Sequence, residues 1–232
     1  MKIAKIQETL SKPITKMIAG GFKPTGEKEE SWLGDVFLFK ENEKPPLDEY
    51  GNVMLPLAQL YLPSFPYIHP SVKNTQVLTV FISSEFPETF EDMGKNWVIR
   101  EYENIDDLVI NKEIIYSNSF LKPFPVKTEF IENDYPLWDG EEIPSKIADA
   151  VLKLEDDGKI ESYYDIANNV YEHKMGGYPS YCQSGINFGE DFEFVFQISS
   201  DSKIQLNVVD NGSFMFAKNN KTSKWVIYYD FF

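Results

Sequence analysis

The spacing of apolar residues along the chain indicates a short helix followed by a series of strands. Ile3, Ile6 and Leu10 lie on one helical face with charged residues opposite, which predicts an amphipathic helix ending near Pro13. The stretch at 75–84 instead alternates with period two, and because both of its faces are apolar we expect a strand covered on both sides. Other strands are predicted over residues 31–39, 53–65, 95–104 and 126–134.

The second part of the chain begins with a helical block and ends in strands. Over residues 143–174, apolar residues recur at helical spacing on both sides of Gly158, which predicts two helices separated by that glycine. Asn211 and Gly212 lie between two alternating segments and predict a type I′ hairpin turn, in which both central residues need positive φ. The predicted strands here span residues 193–200, 203–209, 213–219 and 224–232.

A short pattern occurs in both parts of the chain and indicates an internal duplication. In each copy a Gly-Gly pair comes first, then a strand with one glutamine, then an aromatic strand. The residues concerned are Gly20, Gly21 and Gln59 in the first copy and Gly176, Gly177 and Gln197 in the second. We therefore predict a single domain over residues 1–232 with an α+β fold. Mostly antiparallel sheets form two related halves, approximately 13–135 and 143–232, which pack with a few helices into one compact unit.

The composition restricts the class of protein and its partners. Hydrophobic residues make up 42% and aromatic residues 15%, too many for a disordered chain. The net charge of −15 repels nucleic-acid phosphates and anionic lipid, so we expect neither as a partner, whereas a basic protein would be attracted. The first residues do not resemble a signal peptide, no apolar run is long enough for a membrane helix, and the single cysteine fits a reducing compartment. We therefore expect a cytoplasmic protein.

The stretch "HKMGGYPSYCQ" at 173–183 holds the residues that most resemble a reactive site. Cys182 is either a nucleophile activated by His173 or a small buried thiol, and no third group that would orient the pair is identifiable. His173 follows the predicted second helix, so it either interacts with the helix C-terminus or serves as a ligand or proton-transfer group. Gly176 and Gly177 fit a turn rather than a nucleotide-binding loop, because no phosphate-binding motif surrounds them.

The sequence gives little support for a metal site or for a known catalytic motif. Two histidines and one cysteine exclude the usual structural zinc sites. Acidic stretches at 85–92, 138–142 and 155–158 lack the EF-hand spacing, so solvated loops are expected there, with a calcium or magnesium site left open. The chain also lacks the nucleophile-elbow and zinc-protease motifs. We therefore predict no catalytic residue, no metal and no cofactor.

The two glutamines raise a separate question, because each is a polar amide within an apolar strand. If buried, each amide needs hydrogen-bond partners or costs about 1–3 kcal/mol. One interpretation is that each binds the backbone of its neighbouring Gly-Gly turn and joins strand to turn. The other is a ligand-binding cleft between the halves. The candidate residues for that cleft are His173, Tyr178, Tyr181, Gln183, Gln59 and Gln197.

These motifs together resemble the YwqG-like family of uncharacterised bacterial proteins. The resemblance rests on "HKMGGYPSYCQ", a glutamine strand and "VVDNGSFMF" in the second part, and on "GGFKP" and "PLAQLYLP" in the first. Two features depart from the family pattern: Val208 and Val209 stand near a usual tryptophan, and Leu33 follows Trp32 where proline is usual. The resemblance implies a soluble cytoplasmic α+β protein and no particular reaction. Some relatives are thought to be encoded among toxin and antitoxin genes.

The sequence therefore favours a cytosolic, non-catalytic binding protein over an enzyme. An immunity-like role against a basic protein toxin is the more specific form of this hypothesis. The alternative is a small-molecule-binding or hydrolytic protein that uses a cleft near residues 173–183.

Overall fold

The structure is a computed structural model, and it describes residues 1–85 and 93–232. The acidic stretch singled out at 85–92 therefore lies outside the described residues, apart from Glu85. Within the described ranges, no helix has both the length and the apolar character needed to cross a membrane.

Helices α1 and α2 span Ile3–Leu10 and Ser145–Asp156. The strands of the first part of the chain are β1 Lys12–Ala19, β2 Trp32–Leu33, β3 Leu38–Lys40, β4 Leu55–Tyr61, β5 Val77–Ile82, β6 Trp97–Tyr102 and β7 Leu108–Ile110. The first part also holds β8 Phe124–Asp134, and the strands of the second part are β9 Lys174–Gly176, β10 Phe192–Ser199, β11 Ser213–Asn219 and β12 Trp225–Asp230.

Ten of these strands form one sheet, in the order β12-β11-β10-β9-β1-β8-β2-β4-β5-β6. All of its pairs are antiparallel, and β3 pairs with β7 in a separate two-stranded sheet. The predicted α+β fold, with mostly antiparallel strands and a few helices in one compact unit, is confirmed. The long strands β1 and β8 occupy the middle of the sheet, and four strands follow on either side of them.

The sheet curls so that side chains from both ends share one apolar core. Phe196 on β10 stacks on Phe216 on β11 with ring centroids 4.4 Å apart, and Trp97 on β6 packs against Phe216 from the opposite edge. The prediction that β5 is covered on both faces is confirmed, because all six of its residues are buried. Helices α1 and α2 pack together in a second cluster through Ile6 and Val151.

The two edges of the curled sheet meet at one carboxylate. Glu101 on β6 accepts hydrogen bonds from Trp225 Nε1 on β12 at 2.8 Å and from Lys218 Nζ on β11 at 2.8 Å, and Thr75 adds a third at 2.7 Å. Burial alone would raise the pKa of Glu101, but these three hydrogen bonds outweigh it and hold the pKa below its ordinary value of 4.5. The ionised carboxylate therefore joins the edges.

Glu101→Gln is expected to destabilise the protein at neutral pH and to reduce the loss of stability in acid. Because the folded-state pKa is lowered, the contribution of Glu101 is complete above 4.5 and disappears as the pH falls through the folded-state value. Urea unfolding of both proteins at neutral and acidic pH measures this, with Glu103→Gln as the exposed control. If the difference in free energy of unfolding between wild type and Glu101→Gln does not shrink in acid, the ionised carboxylate of Glu101 does not join the sheet edges as assigned.

The prediction of a second helix within residues 143–174 is wrong. After α2 the chain forms only a single 3-10 turn, Tyr163–Asp165. Asp165 Oδ2 accepts hydrogen bonds from the backbone of Glu161 and Ser162, and the Asn169 side chain donates to Tyr135 O. These side chains bond to backbone groups in non-helical conformations and so compete with helix formation.

The predicted strand at 203–209 and the predicted hairpin turn are also wrong. The segment between β10 and β11 forms a loop with one isolated bridge, Asp201 to Leu206. Asn211 has positive φ, but Gly212 does not, so the turn is not of type I′. A side chain at Gly212 would overlap the carbonyl oxygen of Asp230, and this close approach of two backbones is what the glycine permits.

Two further differences concern the first part of the chain. The strand β1 was not predicted, because the helix was expected to end at Pro13 without a strand beginning there. The single strand predicted at 31–39 is two short strands, β2 and β3, separated at Gly34, which has φ of +76°. The interruption lets β2 stay in the large sheet while β3 pairs with β7.

Candidate functional site

Gln59 lies within the core and connects β4 to the segments on either side of β2. Its side-chain oxygen accepts hydrogen bonds from Phe37 N and Leu38 N, each at 3.0 Å, and its amide donates to Glu30 O at 3.2 Å. Gln59 therefore joins strand to turn. The prediction that the Gly20-Gly21 pair supplies its partners is wrong, since residues 30–38 do so.

Gln197 makes matching bonds in the second part of the chain. Its side-chain oxygen accepts from Ser180 N at 3.0 Å, and its amide donates to Tyr171 O at 3.0 Å and to Glu172 O at 3.1 Å. The pairings of β4 with β5 and of β10 with β11 each shift register two residues before the glutamine. Gln59 and Gln197 therefore lie at the same distance from a register shift, and neither lines the cavities that contain Glu142, His173, Asp35 and Glu101.

The turn after β9 follows a buried ion pair. Lys174 Nζ lies 2.9 Å from Asp134 Oδ2, and both side chains have no solvent exposure. Asp134 also accepts from Val170 N at 2.7 Å and from Tyr178 N at 2.9 Å. Burial lowers the pKa of Lys174, and the attraction of Asp134 opposes that change. The ion pair joins the end of β8 to β9, and the bond from Tyr178 N to Asp134 holds the turn at Gly177 against them.

A cavity of about 310 Å³ lies on the outer side of this turn. Tyr178 forms part of its wall, together with aromatic side chains that precede and begin β10. Lys12 Nζ lies over the Tyr178 ring, 4.0 Å from its centroid. The charged and titratable residues that line the cavity are Lys12, His69, Glu141, Glu142, Tyr178 and Glu193.

Glu142 places a partly buried carboxyl group in this cavity. Burial raises its pKa to about 7, and neighbouring Lys12 and Lys174 oppose the shift only in part. Its Oε2 atom is buried and accepts no hydrogen bond from the described residues. An unpaired buried acceptor costs free energy, so this oxygen is suited to a cationic or hydrogen-bond-donating ligand.

Lys12 and His69 carry the basic groups of the cavity. Burial lowers the pKa of Lys12, although Glu142, Glu193 and Asp134 favour its charged form. Burial also lowers the pKa of His69, whose Nδ1 lies 2.8 Å from Ser71 Oγ and whose Nε2 lies 3.8 Å from Glu193 Oε2. His69 is therefore neutral at neutral pH, and the carboxylates dominate the charge of the cavity.

The sequence matches the family described as "Domain of unknown function (DUF1963)" over residues 31–224. That range includes both glutamines, the Lys174–Asp134 pair and most of the residues that line the cavity. The chain belongs to this family. No curated protein matches it. The functional assignment of this DUF1963 protein therefore rests on the chemistry of its own residues.

His173 has a structural position in the DUF1963 fold. Its Nδ1 accepts from Ser199 N at 3.0 Å, so its Nε2 carries the proton and faces Asp201 Oδ2 at 3.2 Å. Ser31, just before β2, also accepts a backbone hydrogen bond with its side chain, from Tyr61 N to Oγ at 2.8 Å. Both ring nitrogens of His173 are therefore engaged. The predicted contact with a helix C-terminus is wrong, because α2 ends at Asp156 and the 3-10 turn that follows ends at Asp165, well before His173.

Cys182 is poorly suited to nucleophilic chemistry. Burial, with a contribution from Asp230, raises the pKa of its thiol to about 11, so little thiolate exists at neutral pH. Cys182 and His173 do line a common cavity of about 720 Å³, but the hydrogen bonds of the imidazole leave it no free nitrogen for the thiol. The geometry does not favour a hydrolytic pair in this DUF1963 protein.

The residues of the predicted cleft near 173–183 do not line one common cavity. Tyr178 lines the cavity of Glu142, whereas His173 and Cys182 line the larger one. Tyr181 is buried and donates from its hydroxyl to Ile186 O at 3.1 Å. Gln183 donates from its backbone to Asp230 and from its amide to Phe231 O, at the protein surface.

The two Gly-Gly pairs, predicted as turns, lie in different surroundings. Gly176 and Gly177 both have positive φ and form the predicted turn. Gly34 and Gly176 each lie two residues after a residue that pairs with a glutamine, Trp32 with Gln59 and Lys174 with Gln197. Gly20 and Gly21 also have positive φ but follow β1.

Sequence reasoning missed Lys12, His69 and Glu193 as members of the cavity. They come from separate parts of the chain, so no local motif connects them. Glu142 lies in the acidic stretch at 138–142, which was noted but interpreted as a solvated loop. The positive φ of 67° at Glu141 is a backbone feature that the sequence does not reveal. Among the described residues, no group of histidine, cysteine or acidic side chains is arranged to hold a metal.

Proposed function

We propose that this DUF1963 protein is a non-catalytic binding protein whose Glu142 cavity accepts a cationic amine or guanidinium group. The observation that carries the proposal is the buried Oε2 atom of Glu142, which has no hydrogen-bond partner among the described residues. A charged donor would satisfy this oxygen and stabilise the ionised carboxylate, and hydrogen bonds of this kind contribute about 1.5–3 kcal/mol.

The charges around the cavity support a cation over an anion. Three carboxylates, those of Glu141, Glu142 and Glu193, line the cavity with a single ammonium group. That ammonium, on Lys12, already rests over the ring of Tyr178. A ligand cation entering beside the aromatic walls would gain attraction from the carboxylates and from the faces of the rings.

A basic side chain of a partner protein and a free amine share this chemistry. The net charge of −15 supports a basic protein, because long-range attraction would raise its rate of association. An immunity role against a basic protein toxin is the more specific form of this proposal. It also draws on the resemblance to YwqG-like proteins, some of which are thought to be encoded among toxin and antitoxin genes. A free amine would bind in the cavity without any contact between protein surfaces.

Agmatine, which carries a guanidinium and an amine, is expected to bind, and Glu142→Gln is expected to weaken its binding about tenfold. Affinity should rise between pH 6 and pH 8, because the Glu142 carboxyl has a pKa of about 7 and binds the cation when ionised. The other groups facing Glu142 are Glu141, Lys12 and Lys174, and loss of the Lys12 proton would act in the same direction. Isothermal titration calorimetry measures both effects.

Asp149→Asn is the matched control, since it removes one exposed carboxylate from α2 outside the cavity. It should leave agmatine affinity unchanged. A capped peptide with one arginine distinguishes a side chain of a partner from a free amine: a peptide that binds more tightly than agmatine supports the protein partner. The proposal fails if neither probe binds, or if Glu142→Gln binds both as tightly as the wild type.

We further infer that the two parts of the sheet are related copies. The strand order on either side of β1 and β8, the matching bonds of Gln59 and Gln197, and the equivalent roles of Ser31 and His173 support this inference. In this interpretation the second copy begins with β8 rather than at the predicted boundary of 143. Gly177–Pro179 beside the Glu142 cavity then corresponds to Asp35–Phe37 in the first copy, where another cavity lies.

A further inference from the structure

A third cavity, of about 340 Å³, lies beside the segment that joins β2 and β3. Its wall includes two aromatic residues, Trp32 and Phe37, and one carboxylate, Asp35. None of these three residues lines the cavity of Glu142, so ligands of the two cavities can be tested separately.

The two aromatic rings form a corner. The ring planes of Trp32 and Phe37 are inclined at 79°, and their centroids are 5.8 Å apart. The backbones that carry both rings are held by the sheet before any ligand enters, because Trp32 pairs with Gln59 and Pro125 and Phe37 N donates to Gln59. The rings then pack on each other. Such preorganisation lowers the entropic cost of binding.

Asp35 supplies the only negative charge among the residues that line this cavity. Its Oδ1 atom accepts from Val36 N at 2.8 Å, and it forms no ion pair with a described residue. Burial raises the pKa of its carboxyl group, as expected for a carboxylate that lacks a counter-ion. Lys112 also lines the cavity but is an exposed residue and is not paired with Asp35.

We propose that Trp32, Phe37 and Asp35 form a binding site for an alkylated ammonium group. A methylated ammonium presents an apolar surface that carries a diffuse positive charge, and it binds where aromatic faces meet a carboxylate. A primary ammonium is more strongly hydrated and gains less from the apolar walls, which Pro24 and Ile114 extend. The site does not depend on the cation proposed for the Glu142 cavity.

Choline and its neutral carbon isostere, 3,3-dimethylbutan-1-ol, test the site by calorimetry and by tryptophan fluorescence. The two molecules have nearly the same shape, so their difference reports the charge. Choline is expected to bind about tenfold more tightly than the isostere, within the range of cation–π and carboxylate interactions at a desolvated site. Asp35→Asn, which keeps an acceptor for Val36 N, should abolish that difference.

Glu113→Gln is the control, because Glu113 is exposed and close in sequence but does not line the cavity. It should leave choline binding unchanged. A peptide with trimethyl-lysine and its unmethylated counterpart distinguish a protein ligand from a small molecule, and preference for the methylated peptide also supports the site. Measurable but equal binding of choline and its isostere to the wild type, or unchanged choline binding to Asp35→Asn, would overturn the proposal, as would no binding of any methylated probe.

Discussion

Replacing Lys174 with methionine is expected to lower the free energy of unfolding by about 3–5 kcal/mol, the usual cost of removing one partner of a buried ion pair. Lys174 and Asp134 are both without solvent exposure, and their charged atoms are 2.9 Å apart. Asp134 is also held by the backbone of Val170 and Tyr178, so its carboxylate cannot turn toward water when the ammonium is lost. Urea unfolding at neutral pH measures the change.

An exposed ion pair on the same sheet provides the comparison. Lys127 and Glu129 on β8 are 2.8 Å apart, with about half of each side chain exposed. Lys127→Met should change the free energy of unfolding by less than about 1 kcal/mol, because solvent screens an exposed pair. The double variant Lys174→Met/Asp134→Asn should be more stable than Lys174→Met alone, since an amide is less costly to bury than an uncompensated charge. Equal effects of Lys174→Met and Lys127→Met would refute the structural role of the buried pair.

The regular strands and the first helix were predictable because their apolar residues follow a single period. β5 alternates with both faces apolar, and all of its residues are buried as expected. Ile6 and Leu10 of α1 lie on the buried face that the spacing predicted. In these segments local pattern and tertiary environment agree, so one sequence window contains the necessary information.

Segments whose backbone is bonded by side chains were not predictable in this way. After Gly158 the apolar spacing fits a helix, but Asp165 and Asn169 bond to backbone groups and leave only one turn. The residues just before β2 and β9 give a second example. Ser31 and His173 each accept a backbone hydrogen bond with the side chain, so a shared role does not follow from a shared residue type.

The candidate site was predicted only in part, for a related reason. Tyr178 was singled out and does line the cavity, but the carboxylate of Glu142 was placed in a solvated loop. Its raised pKa comes from burial, and the cavity that it lines is completed by residues distant in sequence, including Lys12 and His69. Composition marks this region as acidic, whereas the burial that makes one carboxyl group unusual arises only when the chain folds.

Gly177→Ala is expected to lower the free energy of unfolding by about 2–5 kcal/mol. The φ of +69° at Gly177 costs an alanine about 1–2 kcal/mol. The added Cβ would also lie 2.5 Å from Ile14 Cγ2 and would overlap Asp134 Oδ2, and overpacking of this kind costs a further ~1–3 kcal/mol. Relief of the overlap requires Asp134 to move, which would disturb its bonds to Lys174 and to Tyr178 N.

Gly21→Ala separates the two contributions. Gly21 has φ of +94°, but a Cβ there would meet no atom within 4 Å, so its variant should lose only the conformational part, about 1–2 kcal/mol. Urea unfolding of both variants gives the difference as the cost of crowding Asp134. In a Lys174→Met background that difference should shrink, because crowding of Asp134 then has no ion pair left to disturb. Equal losses for the two glycine variants would show that Gly177 is required for its backbone conformation alone, and that the close packing of the turn on Asp134 contributes nothing to stability.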